Sequence, residues 1–311
     1  MWPTPQKRFY GIFVEEQVNA LKTYYPEIKN QIWFIRGYKS KFHYLWSVIQ
    51  LNWHLLFHSY DIIHLHSALS GVFLLFMPKR NNVIITLHGT DILGSKQFCI
   101  TKYIIRKATH LICVSPEIQS IVEPINNNTC VIPCAVRCLF FGDERKKENL
   151  QTIRVIFPSS KKRKVKNFPL FNVIIAQMQA LFQEKIEIVE LDNKSRTEVR
   201  DELNKADFLL LTSFHEGSPQ IIKEAMCCNT PVISANVGNV MELLKDVENC
   251  FVVDGYNPNE YVAKIVLLFN QNKNFPIRTS GRNKIYNLKY DEKSVSINII
   301  NLYRTISSFS S

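Results

Sequence analysis

The chain has 311 residues, of which 46% are hydrophobic and 21% are charged. At about 100–200 residues per domain, this length predicts two domains, and the composition excludes fibrous and globally disordered proteins. The formal net charge of +11 favours an anionic partner, such as nucleic acid, a phosphorylated ligand or an acidic membrane surface. No apolar run approaches the roughly 20 residues of a membrane-spanning helix, and no signal peptide is evident, so we expect a soluble cytoplasmic protein.

Short apolar runs alternate with longer segments of helical periodicity along the first half of the chain. The runs are rich in Ile and Val, which is typical of buried parallel strands. Between them, apolar residues return at the spacing of a helix. The predicted strands are 31–35, 61–65, 83–87, 110–114 and 129–133, and the predicted helices are 13–22, 45–57, 67–77, 96–108 and 116–123. This alternation indicates a doubly wound α/β sheet.

A polar segment, 142–152, interrupts the alternation, and we place a domain boundary between residues 145 and 146. A second alternation follows. Its predicted strands are 153–157, 186–190, 207–211, 231–234 and 251–253, its helices are 168–182, 197–204 and 219–228, and the tail from 257 is helical. The sequence therefore predicts two Rossmann-like domains, 1–145 and 146–311, with C-terminal helices that can cross back and a ligand crevice between the domains.

Several motifs are absent. Neither G-x-G-x-x-G nor G-x-x-x-x-G-K-[ST] occurs, which argues against standard dinucleotide enzymes and P-loop ATPases. The lack of D-x-D predicts no metal on a diphosphate, so cations and backbone amides must hold any nucleotide. The eight cysteines form no C-x-x-C pair and are expected to be free thiols. We expect no nucleic-acid partner, since no recognition module is present.

The segment that follows the third strand of the second half carries the most chemical information. Ser218 suits the N-cap and Pro219 the first position of the next helix, so the amides after Gly217 form an anion site. Glu216 stands just before this helix and Glu224 lies two turns into it. One carboxylate can reach beyond bound phosphates while the other accepts hydrogen bonds from hydroxyls. In isolation, such a pair more often compensates the helix dipole on a solvated face.

The stretch EGSPQIIKEAMCCNTPVISANVGNVMEL, which begins at Glu216, resembles the E-x7-E signature of family 4 glycosyltransferases, retaining nucleotide-sugar enzymes of GT-B fold. The segments GIFVEEQVNAL, DIIHLHSALSG, ITLHGTDIL, CVSPEIQSIV and VIPCAV resemble further landmarks of this family and occur in its order. The resemblance covers nearly the whole chain and is strongest to the bacterial teichuronic-acid and capsular-polysaccharide branch.

This resemblance implies roles for individual residues. Glu216 is expected to contact hydroxyls of the donor sugar, and Glu224 is expected to contact the ribose. The diphosphate is expected at the backbone of Gly217, Ser218, Pro219 and Gln220.

Further roles are implied by two other motifs. His88, in HGTD at the carboxyl end of a strand, is expected across the cleft from the donor. The family's Gly-Arg followed by a Lys, which grips the diphosphate, is replaced here by FPSSKKRKVKN, in which Arg163 and Lys166 are our candidates. Both can neutralise a leaving diphosphate in place of a metal, although a solvated basic loop is the alternative. His64 and His66 are expected to be structural.

The resemblance implies a metal-independent hexosyltransferase that moves a sugar, with retention, from a nucleotide-diphosphate donor to a glycan or lipid-linked acceptor in cell-surface polysaccharide synthesis. No cofactor is expected besides this donor substrate. Two alternatives remain open, a nucleotide-sugar 2-epimerase of GT-B fold and a catalytically impaired nucleotide-sugar-binding remnant. The second is favoured by WPTPQKRFYGIF, which follows Met1 at once and resembles the loop after the family's first strand. That strand is therefore predicted to be missing.

The segment 36–60 predicts a helix that rests on an anionic bilayer at the inner face of the plasma membrane. It combines Lys39 and Lys41 with Trp46 and Trp53. We expect the tryptophans to be partly buried against the sheet, so that only the lysine-bearing end touches lipid. The alternative is an ordinary amphipathic helix that is buried against the sheet.

Overall fold

The computed structural model describes residues 11–35, 41–77, 80, 82–89, 92, 98–145, 151–272 and 275–308. Within these residues the chain divides into two compact units, a first unit of 11–134 with 293–308 and a second unit of 135–292. Each unit is built on one parallel sheet. Residues 1–10, which hold most of the segment that resembles the loop after the family's first strand, lie outside the described residues. So do residues 146–150 of the polar segment at the predicted boundary.

The first unit contains a four-stranded parallel sheet in the order β1-β2-β3-β4. Its strands are β1 (Ile63–His66), β2 (Val83–Leu87), β3 (His110–Cys113) and β4 (Thr129–Val131). Its helices are α1 (Ile12–Tyr24), α2 (Lys41–Phe57), α3 (Phe98–Lys107) and α4 (Pro116–Val122), with a 3-10 helix at Ala68–Phe76. Every residue of β2 is buried, which explains why this strand is a continuous apolar run in the sequence.

The strand predicted at 31–35 is wrong, because these residues form no ladder with any described strand. Trp33 and Phe34 are exposed, and the Trp33 ring contacts His54 of α2 at 4.7 Å between centroids. An apolar run fits a strand only where a neighbouring strand supplies hydrogen bonds. The helix predicted at 67–77 is the 3-10 helix. Gly71 lies so close to α3 that an added Cβ would be 2.7 Å from Ile104 Cγ2.

The second unit contains a five-stranded parallel sheet in the order β6-β5-β7-β8-β9. Its strands are β5 (Thr152–Phe157), β6 (Lys185–Glu190), β7 (Phe208–Leu211), β8 (Val232–Ala235) and β9 (Phe251–Val253). Its helices are α5 (Phe168–Leu181), α6 (Arg196–Lys205), α7 (Gln220–Cys227), α8 (Val240–Leu244), α9 (Pro258–Gln271) and α10 (Gly281–Asn287). The last helix, α11 (Glu292–Ser308), belongs to the first unit except for Glu292. None of the described helices is both long and apolar enough to cross a membrane.

The strand order of the second unit reverses between β5 and β7. The chain passes from β5 outward to β6 on one side and then returns to β7 on the other side. In open parallel sheets, ligands bind outside the carboxyl ends of the strands at such a reversal. Among the described strands of the first unit the order does not reverse. We therefore expect a ligand site at the loops after β5 and β7.

Residues 135–145 belong to the second unit, so the contacts divide the chain before the boundary that we predicted at 145 and 146. Val136 and Phe141 are fully buried in its core. Arg145 is also buried, and its guanidinium donates hydrogen bonds to the carbonyl oxygens of Leu203 and Ala206. Burial lowers the pKa of Arg145 to about 10. The segment is polar in sequence, yet one of its charged residues, Arg145, is buried and held by hydrogen bonds.

The expectation of eight free thiols is wrong for one pair, because Cys138 and Cys227 form a disulfide in the second unit. Their Cα atoms lie 5.2 Å apart although 89 positions separate them in the sequence. No short spacing motif signals such a pair. The other six cysteines are not part of this disulfide and are thiols.

Candidate functional site

The loops after β5 and β7 are tied together where the strand order reverses. The two strands are parallel neighbours, so their carboxyl ends lie at the same edge of the sheet. The amide of Phe214 donates a hydrogen bond to the Val165 carbonyl at 2.9 Å. The Thr212 hydroxyl donates to the carbonyl oxygens of Lys166 and Asn167 at 3.0 and 3.2 Å. These bonds fix the side chains that both loops carry.

Lys166 and Glu216, one from each loop, form an ion pair at this edge. The Lys166 Nζ lies 2.5 Å from Glu216 Oε1, and the Ser213 hydroxyl donates to the same oxygen at 2.7 Å. The two charged side chains are only 10% and 16% exposed. A buried carboxylate is tolerated because a cation and a hydroxyl compensate it. Glu216 Oε2 accepts no hydrogen bond from the described residues, which leaves it able to accept one from a ligand.

Glu224 has its own cation, which the sequence analysis missed. Its carboxylate lies in α7 and is almost fully buried, and Arg196 Nη2 donates to its Oε1 at 2.8 Å. The guanidinium of Arg196 also lies 4.8 Å from the centroid of the Phe141 ring. Arg196 opens α6, where Ser195 and Glu198 form a capping box. The capping box is visible in the sequence and predicts that a helix begins at Arg196. It does not indicate that Arg196 pairs with Glu224, which lies 28 residues further along the chain.

Helix α7 begins one residue later than predicted. Pro219, not Ser218, occupies the N-cap, and it has extended backbone angles. The Ser218 hydroxyl and the Oε1 atom of Gln220 are buried and have no hydrogen-bond partner in the described part of the chain. The Nε2 atom of Gln220 donates to the Ala135 carbonyl at 2.5 Å. The helix start therefore presents polar groups that a polar ligand can satisfy.

Gly238, in the loop after β8, supports the backbone of the site. Its φ is +55°, and an added Cβ would lie 2.4 Å from the Gly217 carbonyl oxygen and 2.6 Å from that of Glu216. Only glycine allows this approach. The signature stretch contains Gly238, but the sequence analysis assigned it no role.

A solvent-open cavity of about 470 Å³ lies at residues that flank Lys166 and Glu216 in the two loops. The rings of Phe214 and Tyr256 meet edge to face at 5.2 Å, and the Tyr256 hydroxyl donates to the Phe214 carbonyl. The cavity is lined by Lys164, Val165, Phe214, His215 and Tyr256. Apolar and aromatic walls with a few polar groups are typical of small-molecule sites.

Arg163 and His88 stand apart from this cluster. Arg163 is exposed, just before the 3-10 helix Lys164–Lys166, and donates to the Ser159 hydroxyl at 3.3 Å. His88 lies in the first unit, after β2, whereas all the other candidates lie in the second. Its Nε2 is 3.4 Å from His66 Nδ1, and its Nδ1 is 3.6 Å from Cys134 Sγ. Its expected position across a cleft stays a prediction.

His64 and His66 lie in β1, as strand residues. Their rings stack at 4.5 Å. His64 Nδ1 is 2.5 Å from the Tyr303 hydroxyl of α11, and His64 Nε2 is 2.7 Å from the Thr86 hydroxyl. Burial lowers the pKa of His64 to about 4 and lowers the pKa of His66 well below its ordinary value. Both imidazoles are therefore neutral at pH 7.

Two family models match consecutive parts of the chain. The model described as Glycosyltransferase Family 4 matches residues 16–138, and the model described as Glycosyl transferases group 1 matches residues 139–284. The chain belongs to the family 4 glycosyltransferases.

Individual relatives of this glycosyltransferase are distant. It is 26% identical over 279 residues to an uncharacterized glycosyltransferase of Methanocaldococcus jannaschii, covering 79% of this chain and 76% of that one. It is 25% identical over 215 residues to a Bacillus subtilis protein named as a teichuronic acid biosynthesis glycosyltransferase, TuaC, covering 59% and 55%. The structure of Anabaena HepE in complex with UDP matches with a TM-score of 0.66 at 17% identity, covering 83% and 82%. This likeness confirms the GT-B fold.

The buried histidine generates a prediction about acid stability. Because the pKa of His64 is about 4 in the folded state and about 6.5 when unfolded, the unfolded chain binds more protons between these values. The free energy of unfolding should fall as the pH is lowered from about 6.5 to about 4, by up to about 1.4 kcal/mol per pH unit from this group. His64→Gln should make that slope shallower in urea titrations. Tyr303→Phe, which keeps the imidazole, should retain it; equal slopes in the wild type and His64→Gln would contradict this.

The support by Gly238 can be tested against a matched glycine. Gly255 also has a positive φ, +84°, but an added Cβ there meets no atom within 4 Å. Gly255→Ala should cost about 1–2 kcal/mol of unfolding free energy from backbone strain alone. Gly238→Ala should cost several kcal/mol more, because the methyl group meets backbone that cannot rotate away. Urea unfolding compares the two variants, and equal losses would show that the Glu216–Gly217 backbone does not rest on Gly238.

Proposed function

We propose that this glycosyltransferase moves a hexose, with retention and without a metal, from a nucleotide-diphosphate donor to a glycan or lipid-linked acceptor. The observation that carries the proposal is the buried Lys166–Glu216 pair at the reversal of strand order, beside the start of α7. The UDP bound in HepE supports a nucleotide donor. The name of TuaC supports a role in cell-surface polysaccharide synthesis, and we propose that the enzyme works in the cytoplasm, at the inner face of the plasma membrane.

The donor diphosphate, in this proposal, lies at the start of α7. The backbone from Gly217 to Gln220 supplies amides at a helix N-terminus, where the helix dipole favours anions. The Ser218 hydroxyl, which lacks a partner within the described residues, can donate to a phosphate oxygen. Lys166 supplies a fixed positive charge. The exposed Arg163 is free of any described acidic partner and can supply a second one.

The two glutamates recognise hydroxyls at opposite ends of the donor. Lys166 and Ser213 hold Oε1 of Glu216, so that Oε2 accepts a hydrogen bond from the transferred sugar. Arg196 holds Glu224, whose carboxylate accepts the ribose hydroxyls. The aromatic cavity beside Lys166 has the size and lining for a sugar ring.

In the proposed reaction, the acceptor oxygen forms a bond to the anomeric carbon on the face from which the diphosphate leaves. The bond between the anomeric carbon and the phosphate oxygen breaks, and the leaving diphosphate takes the proton of the acceptor hydroxyl. No enzymic nucleophile is required. Lys166, Arg163 and the α7 amides stabilise the negative charge that develops on the diphosphate. His88 remains our candidate catalytic residue in the first unit.

Substitution of the glutamates tests their roles. Glu216→Gln and Glu224→Ala should each lower kcat/KM about 10- to 100-fold, because a charge-assisted hydrogen bond contributes about 1.5–3 kcal/mol. Release of nucleoside diphosphate from UDP- and GDP-sugars, with acceptor present, measures this. Glu248→Gln, an exposed carboxylate of the same unit, serves as the control and should retain activity. Wild-type rates in either test variant would refute the assignment, and conversion of the donor to an epimer without acceptor would favour the epimerase.

Donor binding should not depend on a divalent metal. The site provides Lys166, Arg163 and backbone amides for the diphosphate, and the sequence has no D-x-D. Calorimetric titration with UDP should give the same Kd with and without EDTA, while Lys166→Met should weaken binding about tenfold or more. Recovery of binding only on addition of manganese or magnesium would contradict the proposal.

A further inference from the structure

Helix α2 is apolar on two opposite faces, and only one of them is buried. Val48, Leu51 and Leu55 lie in the core of the first unit. The opposite face is exposed although it is apolar, and we call it the outer face of α2. It consists of Phe42, Leu45, Trp46, Ile49, Trp53, Leu56 and Phe57. Their spacing, with steps of three and four residues, places them on one side of the helix.

The exposure of this face corrects two expectations from the sequence. Trp46 and Trp53 are 61% and 67% exposed, so the prediction that they are partly buried against the sheet is wrong. The alternative of an ordinary amphipathic helix also fails, because its outward side is not polar. The sequence shows two apolar arcs on this helix but does not indicate which of them meets the core. The buried face consists of aliphatic residues, whereas the outer face carries both aliphatic residues and aromatic rings.

The apolar surface extends beyond α2. The segment 31–35 carries the exposed side chains of Trp33 and Phe34, and Trp33 contacts His54 of α2. Soluble monomers rarely expose contiguous apolar surface of this kind unless it binds a partner or a membrane. Tryptophan and phenylalanine beside polar groups are typical of the headgroup region of a bilayer.

The charge around the outer face selects among possible occupants. Residues 28–60 contain four basic residues and no Asp or Glu; these are Lys29, Arg36, Lys39 and Lys41. Arg36, Lys39 and the side chain of Lys41 lie outside the described residues, so their contribution rests on their position in the chain. A positive border matches anionic lipid headgroups. A second copy of the chain would bring a second positive border against the first, which opposes self-association.

We infer that the outer face of α2 docks this chain on an anionic bilayer, with the helix lying along the surface. The aromatic side chains enter the headgroup region, and the basic residues of 28–60 supply the charge that attracts anionic lipid. This inference does not rest on the proposed sugar transfer, because docking is measured without any sugar. It agrees with a lipid-linked acceptor, which such docking would bring within reach.

The test is co-sedimentation with vesicles of phosphatidylcholine alone or of phosphatidylcholine mixed with phosphatidylglycerol. We expect binding to the anionic vesicles, weakened by salt because exposed charges are screened. The double variant Trp46→Ser/Trp53→Ser should bind at least about tenfold more weakly, since most of the aromatic anchor is lost. Both tryptophans are exposed, so the fold should survive, and urea unfolding checks this. Leu139→Ser removes an exposed apolar side chain, 74% exposed, from the second unit and should bind like the wild type.

Intrinsic fluorescence supplies a second readout. All four tryptophans lie within the first 53 residues, so their emission reports on this region alone. Lipids with brominated chains should quench the wild type on anionic vesicles. Absence of sedimentation with anionic vesicles, or equal binding to both lipid mixtures, would overturn the inference. So would a concentration-dependent dimer that Trp46→Ser/Trp53→Ser abolishes, because the face would then be covered by a second copy.

Discussion

The reversal of strand order between β5 and β7 is the constraint on which the site depends. It brings two loops to one edge of the sheet, and hydrogen bonds between their backbones hold them there. The Lys166–Glu216 pair then joins the loops with opposite charges that are both largely buried. Neither charge would be stable alone in that position, so each one fixes the other. Gly238 completes the arrangement, because a side chain at that position would push the Glu216–Gly217 backbone away.

The cations beside the two glutamates explain how a motif with two carboxylates can lie next to the anionic donor that we propose. Two uncompensated carboxylates would repel a diphosphate bound between them. Lys166 compensates Glu216 from the loop after β5, and Arg196 compensates Glu224 from the start of α6. The carboxylates thereby keep their capacity to accept hydrogen bonds while the net charge near the helix start stays low. In the two proposals, donor binding depends on these cations of the second unit, whereas membrane docking depends on the outer face of α2 in the first unit.

Much of the fold could be predicted because buried strands and helices require apolar residues at a regular spacing, which the sequence shows. The strands 83–87 and 251–253 have the predicted bounds, since each is a largely apolar run that a polar residue, His88 or Asp254, follows. The strand predicted at 31–35 failed because an apolar run carries no information about a missing neighbour. Helix α8 was missed because five residues are too few to show periodicity. For the site, the sequence predicted roles for Glu216, Glu224 and Lys166, and the structure pairs Lys166 with Glu216. Arg196, Gly238 and the disulfide depend on contacts between distant segments, which local spacing does not encode.

The central claim is that the edge between β5 and β7 binds the donor diphosphate. A crystal structure of this chain with UDP tests it most directly. The account predicts phosphate oxygens within hydrogen-bond distance of the amides around Ser218 and Gln220 and close to Lys166, with ribose hydroxyls on Glu224. UDP bound elsewhere on the chain, with the Lys166–Glu216 pair remote from its phosphates, would contradict it.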